Sequence, residues 1–176
     1  ECPRPDTTPE GLGKLRPVFR TTGRCTAGNS SPINDGASIM VLMSAEKAKE
    51  LGLTVLAKVS ATAVRGLEPE VMGLGPIPSS RRLLERAGLK PSDIDLWEIN
   101  EAFASQSIVS VNELGIDPAI VNVNGGAIAL GHPLGISGTR ILTTLLYEMI
   151  RRDAKKGVGT MCIGGGQGIA AIFERV

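Results

Sequence analysis

The sequence predicts an α/β fold in which a mixed five-stranded sheet is covered by helices. Three observations lead there. Apolar runs of strand length (VLAKVSATAV, VGTMCI, IAAIFE) alternate with segments whose apolar residues recur at helical spacing. Gly88, Pro91 and Gly115 stand at the seams between them. The short link GGGQG between the last two runs favours a hairpin, expected at the edge of the sheet.

Taken in order, residues 1–34 are rich in proline, glycine, threonine and charge without periodicity, and read as an extended arm and a loop. Ala37 to Met43 has the length and branching of a buried strand, and Ala45 to Leu51 reads as a short helix closed by Gly52. From Val55 the pattern is regular. A strand (VLAKVSATAV) and a loop (GLGPIP) precede a helix from about Ser79, whose Leu83, Leu84 and Ala87 share a face. A short strand, Leu96 to Ile99, leads to a helix from Glu101 to Leu114 and a strand from Ile120 to Asn124. The longest helix is expected over Ser137 to Arg152, with Ser137 as N-cap and a core stripe of Ile141, Leu142, Leu145, Leu146, Met149 and Ile150. Two strands, Val158 to Ile163 and Ile169 to Glu174, close the chain.

Composition narrows the function. With 176 residues, 42% of them hydrophobic, the chain has enough apolar material for a core of ordinary size. Nineteen basic against eighteen acidic residues, with 3% aromatics, give neither an electrostatic nor a stacking reason to expect nucleic acid. No apolar run approaches the roughly 20 residues of a spanning helix, so no integral membrane role is expected. Cys2, Cys25 and Cys162 are odd in number and widely separated, which fits neither a disulfide framework nor a zinc site. A reducing compartment, the cytoplasm, is the expectation. The chain starts at Glu1 rather than at methionine, so this end says nothing of a targeting segment.

Chemistry concentrates in a few segments. His132, the only histidine, lies in GHPLG, and Cys162 opens CIGGGQG. An imidazole and a thiol held in glycine-rich backbone form a pair able to exchange protons near neutral pH, with the thiol lowered in pKa if the two are close. The imidazole is also able to donate to a developing oxyanion. The plainer readings stand beside these: His132 as a capping or packed residue, Cys162 as an inert buried thiol, Asn100 as a helix N-cap with Glu101 complementing the dipole. TAGNSSPINDG is typical of any loop, and the clusters Arg81, Arg82, Arg86 and Arg151, Arg152, Lys155, Lys156 read as solvated helix faces. The third glycine after Cys162 exceeds what a hairpin needs and suggests room for a substrate.

TAGNSSPINDG, VMGLGPIP, INEAFA, NVNGGAIALGHPLGISGTRIL and CIGGGQG, in that order, resemble the C-terminal half of the thiolase family over nearly the whole chain. The nearest branch is the acetyl-CoA acetyltransferases. The resemblance implies a thiolase-like half-domain over residues 55–176, preceded by an extended arm and end of the loop domain (1–34) and a strand and helix completing the N-terminal half-domain (35–54). It implies a thioester Claisen condensation, two acetyl-CoA to and from acetoacetyl-CoA and CoA, with coenzyme A a substrate and no cofactor or metal. Cys162 then matches the acid/base cysteine, His132 the histidine that activates the nucleophilic cysteine and lines an oxyanion hole, and Asn100 the asparagine that holds a water in that hole. Ser31 matches a serine beside the pantetheine arm, Met72 and Phe103 the acyl pocket, and Gly164 a second oxyanion hole.

The family's nucleophilic cysteine lies in a CGSG-type motif that this sequence does not contain, and neither Cys2 nor Cys25 has that context. The chain is therefore expected to be inactive alone, to need an N-terminal thiolase half as partner, and to self-associate through surfaces left uncovered. Competing expectations are a longer-chain 3-ketoacyl-CoA thiolase, an acyl hydrolase with Cys162 as nucleophile, and a non-catalytic module that binds CoA.

Overall fold

The computed structural model describes residues 3–176, so Cys2 lies outside the described residues. The N-terminal arm holds one short helix, α1 (Pro9–Gly13), capped by the Thr8 hydroxyl, which accepts from the Gly11 amide. A 3-10 turn, Ala27–Asn29, is held by a reciprocal cap between Thr26 and Asn29. Helix α2 (Ala45–Glu50) follows, capped by Ser44.

The regular part begins with β1 (Lys58–Gly66) and α3 (Pro76–Ala87), which Gly88 ends in the left-handed conformation that a residue without Cβ adopts freely. Next come β2 (Leu96–Ile99), α4 (Ala104–Leu114), the four-residue α5 (Ala127–Leu130) and the long α6 (Ser137–Arg151). The chain closes with β3 (Lys156–Ile163) and β4 (Gln167–Glu174).

The sheet is mixed, in the order β1-β4-β3-β2, with β2 parallel to β3 and the other pairs antiparallel. Alternation along the strands divides the core. Trp97, Ile99, Val158 and Ile172 pack with Leu83 and Leu84 of α3 on one face; Leu96 and Phe173 pack with Leu145 and Met149 of α6 on the other. Each such fully buried apolar side chain contributes roughly 1.5–3 kcal/mol.

Four expectations change. Among the described residues the sheet has four strands. The fifth, expected over residues 120–124, shrinks to a 3-10 turn, Pro118–Ile120, and a single bridge between Val121 and Trp97. Asn122 explains this: it sits at φ 46°, and its carboxamide both accepts from Ile99 N and donates to Ile99 O at 2.8 Å, taking the place of a backbone partner. Residues 37–43 form no strand, since no neighbouring strand pairs with them; Ile39 and Val41 are 91% and 77% exposed. The β3–β4 hairpin lies in the centre of the sheet rather than at its edge, because β1 adds to the outer side of β4. Ser137 is the first residue of α6, and the cap position is Ile136.

Candidate functional site

The parallel strands β2 and β3 end together. Asn100, one residue beyond β2, extends their ladder by donating its amide to Thr160 O at 3.0 Å, two residues before Cys162. A parallel pair ends with side chains and loops at one rim, the usual place for a ligand in an α/β sheet. Asn100 is completely buried and is not the cap of α4; that position falls to Phe103.

The segment 125–137 brings His132 to this rim. Asn100 Nδ2 lies 3.4 Å from His132 Nε2, and His132 Nδ1 lies 2.6 Å from Ser137 Oγ. The Ser137 hydroxyl donates its single proton to the Pro133 carbonyl at 3.0 Å. The short contact is therefore made by an Nδ1–H, and Nε2 carries the lone pair. Burial, followed by the nearby Arg140 charge, lowers the imidazole pKa below its usual value, so the ring is a neutral proton acceptor at pH 7.

Cys162 is half-buried, and that burial raises its thiol pKa. The direction is opposite to the lowering expected of a thiol beside an imidazole, and burial is its cause. Such a thiol holds its proton at neutral pH.

The arm closes over the same rim. Ser30 bridges to Phe103, Ser31 N donates to Ala102 O at 3.0 Å and Ser31 Oγ to the same oxygen at 3.1 Å, and His132 N donates to Pro32 O at 3.1 Å. Phe103 meets Phe19 edge to face, with ring centroids 6.0 Å apart. Cys25 Sγ lies 3.7 Å from Ser105 Oγ on α4. Met72 belongs to a 3-10 turn, Pro69–Leu74, joined to the site through its neighbour: a Cβ on Gly73 would stand 3.3 Å from Gln106 Cβ, and Gln106 Nε2 donates to Asn100 O at 3.0 Å.

The hairpin loop is Gly164-Gly165-Gly166. The backbone requires the last two, at φ 80° and 87°, and a Cβ on Gly166 would strike Leu67 O. Nothing requires Gly164: a Cβ there meets no atom within 4 Å. It leaves open space beside the residues that follow Cys162.

Sequence reasoning missed Ser137, Gln106, Asn122, Glu98 and Arg140. Ser137 was legible as a residue of GHPLGISG, yet its place on the first turn of a helix masked its grip on the ring. Glu101 is more than a dipole partner: its carboxylate accepts from Asn122 Nδ2 and from Ile128 N, both at 3.2 Å, and so fixes the loop that leads to His132. The Asn100 Oδ1 and Gln106 Oε1 acceptors are buried without a hydrogen-bond partner among the described residues. Each such acceptor costs roughly 1–3 kcal/mol until a donor reaches it. Among the described residues no group of three His, Cys, Asp or Glu side chains is placed to hold a metal, and no helix is long and apolar enough to cross a membrane.

Comparison with known proteins bears on the chain as a whole. The family model described as thiolase, C-terminal domain, matches residues 53–175, and that of thiolase, N-terminal domain, matches residues 1–46. An acetyl-CoA acetyltransferase of Pseudomonas aeruginosa is 59% identical over 99% of this chain and 44% of its own length. A 3-ketoacyl-CoA thiolase of Aliivibrio salmonicida is 57% identical over 99% of this chain and 46% of its own. The crystal structure of the Bacillus anthracis acetyl-CoA acetyltransferase superimposes with TM-score 0.97 at 48% identity, over 100% of this chain and 45% of that one. Human mitochondrial 3-ketoacyl-CoA thiolase in complex with CoA gives 0.93 at 47%, again over 100% and 45%. The chain thus spans less than half the length of the relatives it matches.

Proposed function

Because this chain belongs to the thiolase family, we propose that it serves as the C-terminal part of an enzyme that forms and cleaves acetoacetyl-CoA, by condensation of two acetyl-CoA with release of CoA. An N-terminal thiolase half would supply the nucleophilic cysteine, and the assembled enzyme would act on acyl-CoA as an oligomer. The observation that carries this reading is the His132 ring held between Ser137 Oγ, which fixes the proton on Nδ1, and the Asn100 carboxamide, whose Nδ2 lies 3.4 Å from the Nε2 lone pair.

In this reading Nε2 of His132 takes the proton of the nucleophilic cysteine as it attacks the acyl thioester. The resulting Nε2–H then donates to the thioester oxygen, where negative charge develops when a proton leaves the neighbouring carbon. Asn100 supplies the other side of that oxyanion site, its buried Oδ1 suited to accept from a water that donates its second hydrogen to the developing oxyanion. Cys162 gives its proton to the departing CoA thiolate and, so ionised, removes the α-proton of the second acetyl-CoA. The carbanion attacks the acetylated cysteine, and a carbon–carbon bond forms as the carbon–sulfur bond breaks. The released cysteine thiolate takes its proton back from His132, the sequence reversing in thiolysis. A thiol whose resting pKa is high is a strong base when ionised, which suits proton abstraction from carbon and argues against Cys162 as the nucleophile of a hydrolase. Gly164 leaves room for a thioester oxygen to approach backbone amides, while Ser31, Met72 and Phe103 border the pantetheine and acyl groups.

The near-equal identities to relatives of both names, 59% and 57%, favour one second reading, a longer-chain 3-ketoacyl-CoA thiolase. Thiolysis across a series of 3-ketoacyl-CoA chain lengths separates the two.

The test is reconstitution. Mixed with an N-terminal half bearing the CGSG-type cysteine, the chain is expected to cleave acetoacetyl-CoA, and Cys162→Ala or His132→Ala in the mixture should abolish cleavage. Thiolysis by the isolated chain, or full activity of the Cys162→Ala mixture, overturns the proposal.

A further inference from the structure

Asn100 is held from behind by a residue of the helix that follows it. Its amide donates to Thr160 O at 3.0 Å, and its carbonyl accepts from Ala102 N at 3.1 Å and from Gln106 Nε2 at 3.0 Å. Gln106 is the third residue of α4, whose cap position, Phe103, offers no side-chain hydrogen bond. A glutamine at that place commonly folds back as an acceptor for the amide of the cap residue. Here it reaches further, to the carbonyl three residues before the cap, and acts as a donor. Turning the carboxamide over would set Oε1 against Asn100 O, two acceptors with no hydrogen between them. Gln106 is 5% exposed, and its Oε1 is enclosed without a partner among the described residues. The fold leaves a buried acceptor unmet while the donor stays on Asn100. The stem is confined as well, since a Cβ on Gly73 would stand 3.3 Å from Gln106 Cβ and 3.7 Å from its Cγ.

We propose that Gln106 is a positioning residue of this site: by holding the Asn100 carbonyl it fixes the direction in which the Asn100 carboxamide leaves the strand end, and so keeps Nδ2 against the His132 ring. Asn100 stands one residue past β2, where the chain turns out of the sheet toward α4. Its amide is still tied to β3, but its carbonyl has left the ladder and is set by Ala102 and Gln106. The direction of the side chain follows from that backbone. The Asn100 Nδ2 to His132 Nε2 distance of 3.4 Å is already at the long end of a hydrogen bond, so a small rotation of the backbone breaks it. A displacement of about 1 Å at such a group is enough to slow a reaction by about 100-fold.

The catalytic meaning rests on the reading of Asn100 as part of the oxyanion site, but the grip itself is measurable without turnover. In the full chain the two Nδ2 hydrogens of Asn100 are expected to give a resolved NMR pair that moves as His132 titrates, because Nδ2 faces Nε2. Gln106→Met keeps the length of the side chain and removes the donor; the pair should converge and stop following the ring. Gln106→Glu at about pH 5, where a carboxyl so buried keeps its proton and donates through its O–H, should restore the pair seen in wild type at that pH. In the enzyme reconstituted with an N-terminal half, Gln106→Met should lower kcat for acetoacetyl-CoA thiolysis by about 10–100-fold and change KM by less than about threefold. A folded Gln106→Met chain whose Asn100 pair behaves as in wild type overturns the proposal, as does a loss confined to KM. If Gln106→Met does not fold, Gln106→Glu decides. Raising its pH to about 8 ionises the carboxyl and should move the Asn100 pair away from that of wild type at the same pH, while the other amides stay dispersed. A pair that stays with wild type, or moves only as the whole spectrum collapses, overturns the proposal. Wild-type halves that together fail to cleave acetoacetyl-CoA would remove the thiolase reading instead, and the Asn100 signals would still judge this one.

Discussion

Ser137 Oγ and His132 Nδ1 stand 2.6 Å apart, five residues distant in sequence, and their contact decides which ring nitrogen carries the proton. The serine is fully buried and its hydroxyl is already committed to Pro133 O, so the ring must donate at Nδ1 and accept at Nε2. Ser137→Ala removes this choice of tautomer without removing the imidazole. The expected result is a His132 nitrogen spectrum that shifts from one tautomer to a mixture, with reconstituted thiolysis falling by about 10–100-fold. A wild-type spectrum with the proton on Nε2 would contradict the assignment.

Glu98 predicts a stability that declines with pH. Its folded pKa, about 8, lies above the ordinary 4.5, so between those values the folded chain binds a proton that the unfolded chain has released. Stability is therefore lost progressively as pH rises from about 4.5 to about 8. Glu98→Gln keeps the shape of the protonated acid and cannot ionise. Its melting temperature is expected to match wild type near pH 5 and exceed it by roughly 5 °C at pH 8.5. Parallel pH profiles for the two proteins would refute the buried, protonated carboxyl.

Glu148 predicts the opposite slope. Its carboxylate accepts from Asn124 Nδ2 at 3.0 Å and from Arg151 and Arg152, which hold its pKa near 2, below the ordinary 4.5. The stabilisation is complete above about 4.5 and is lost as pH falls through about 2. Glu148→Gln should lower the melting temperature at pH 7 and flatten its dependence across that acid window, as read by thermal melts from pH 2 to 5.

How much of this was legible in the sequence follows from the range of the forces involved. Helices α3, α4 and α6 were visible because their stripes and the glycines Gly88 and Gly115 are local signals. Periodicity says nothing of strand order, so the central place of the hairpin was hidden until β1 was seen to cover β4. The apolar run ending at Asn124 looked like a strand because its side chains suit one, while the pairing that replaced it depends on the carboxamide of Asn122 reaching back to Ile99. At the site, GHPLG marked His132, but Glu98 reads as an ordinary strand residue. Only burial against α6 makes it unusual.

The hairpin glycines separate packing from ligand space. A Cβ on Gly168 would run into the Gly75 carbonyl, whereas one on Gly164 touches nothing. Gly168→Ala is therefore expected to cost roughly 1–3 kcal/mol in chemical denaturation, and Gly164→Ala about 0.5 kcal/mol or less. If acyl-CoA approaches the amides there, Gly164→Ala should still depress reconstituted thiolysis. Undiminished turnover in that variant would remove Gly164 from the substrate site.

The largely exposed segment 37–43 supplies the most direct test of the proposed partner. Ile39, Val41 and Leu42 are 91%, 77% and 71% exposed, an apolar edge that a chain in water is expected to bury if a partner offers a strand. Met40 of this segment packs on the core between the sheet and α6, but Val41 is exposed, and the pairing of β1 to β4 does not depend on residues 37–43, which carry no regular structure. Val41→Asp should therefore leave the melting temperature of the isolated chain within a degree or two. Setting a charge into the strand that the N-terminal half is proposed to receive should weaken association with that half at least tenfold, measured by calorimetry, and reduce thiolysis in the mixture in proportion. Hydrogen exchange distinguishes this from nonspecific stickiness: amides of residues 37–43 should gain protection on mixing in wild type and stay unprotected in the variant. Equal protection in both would mean that the two halves meet through some other surface.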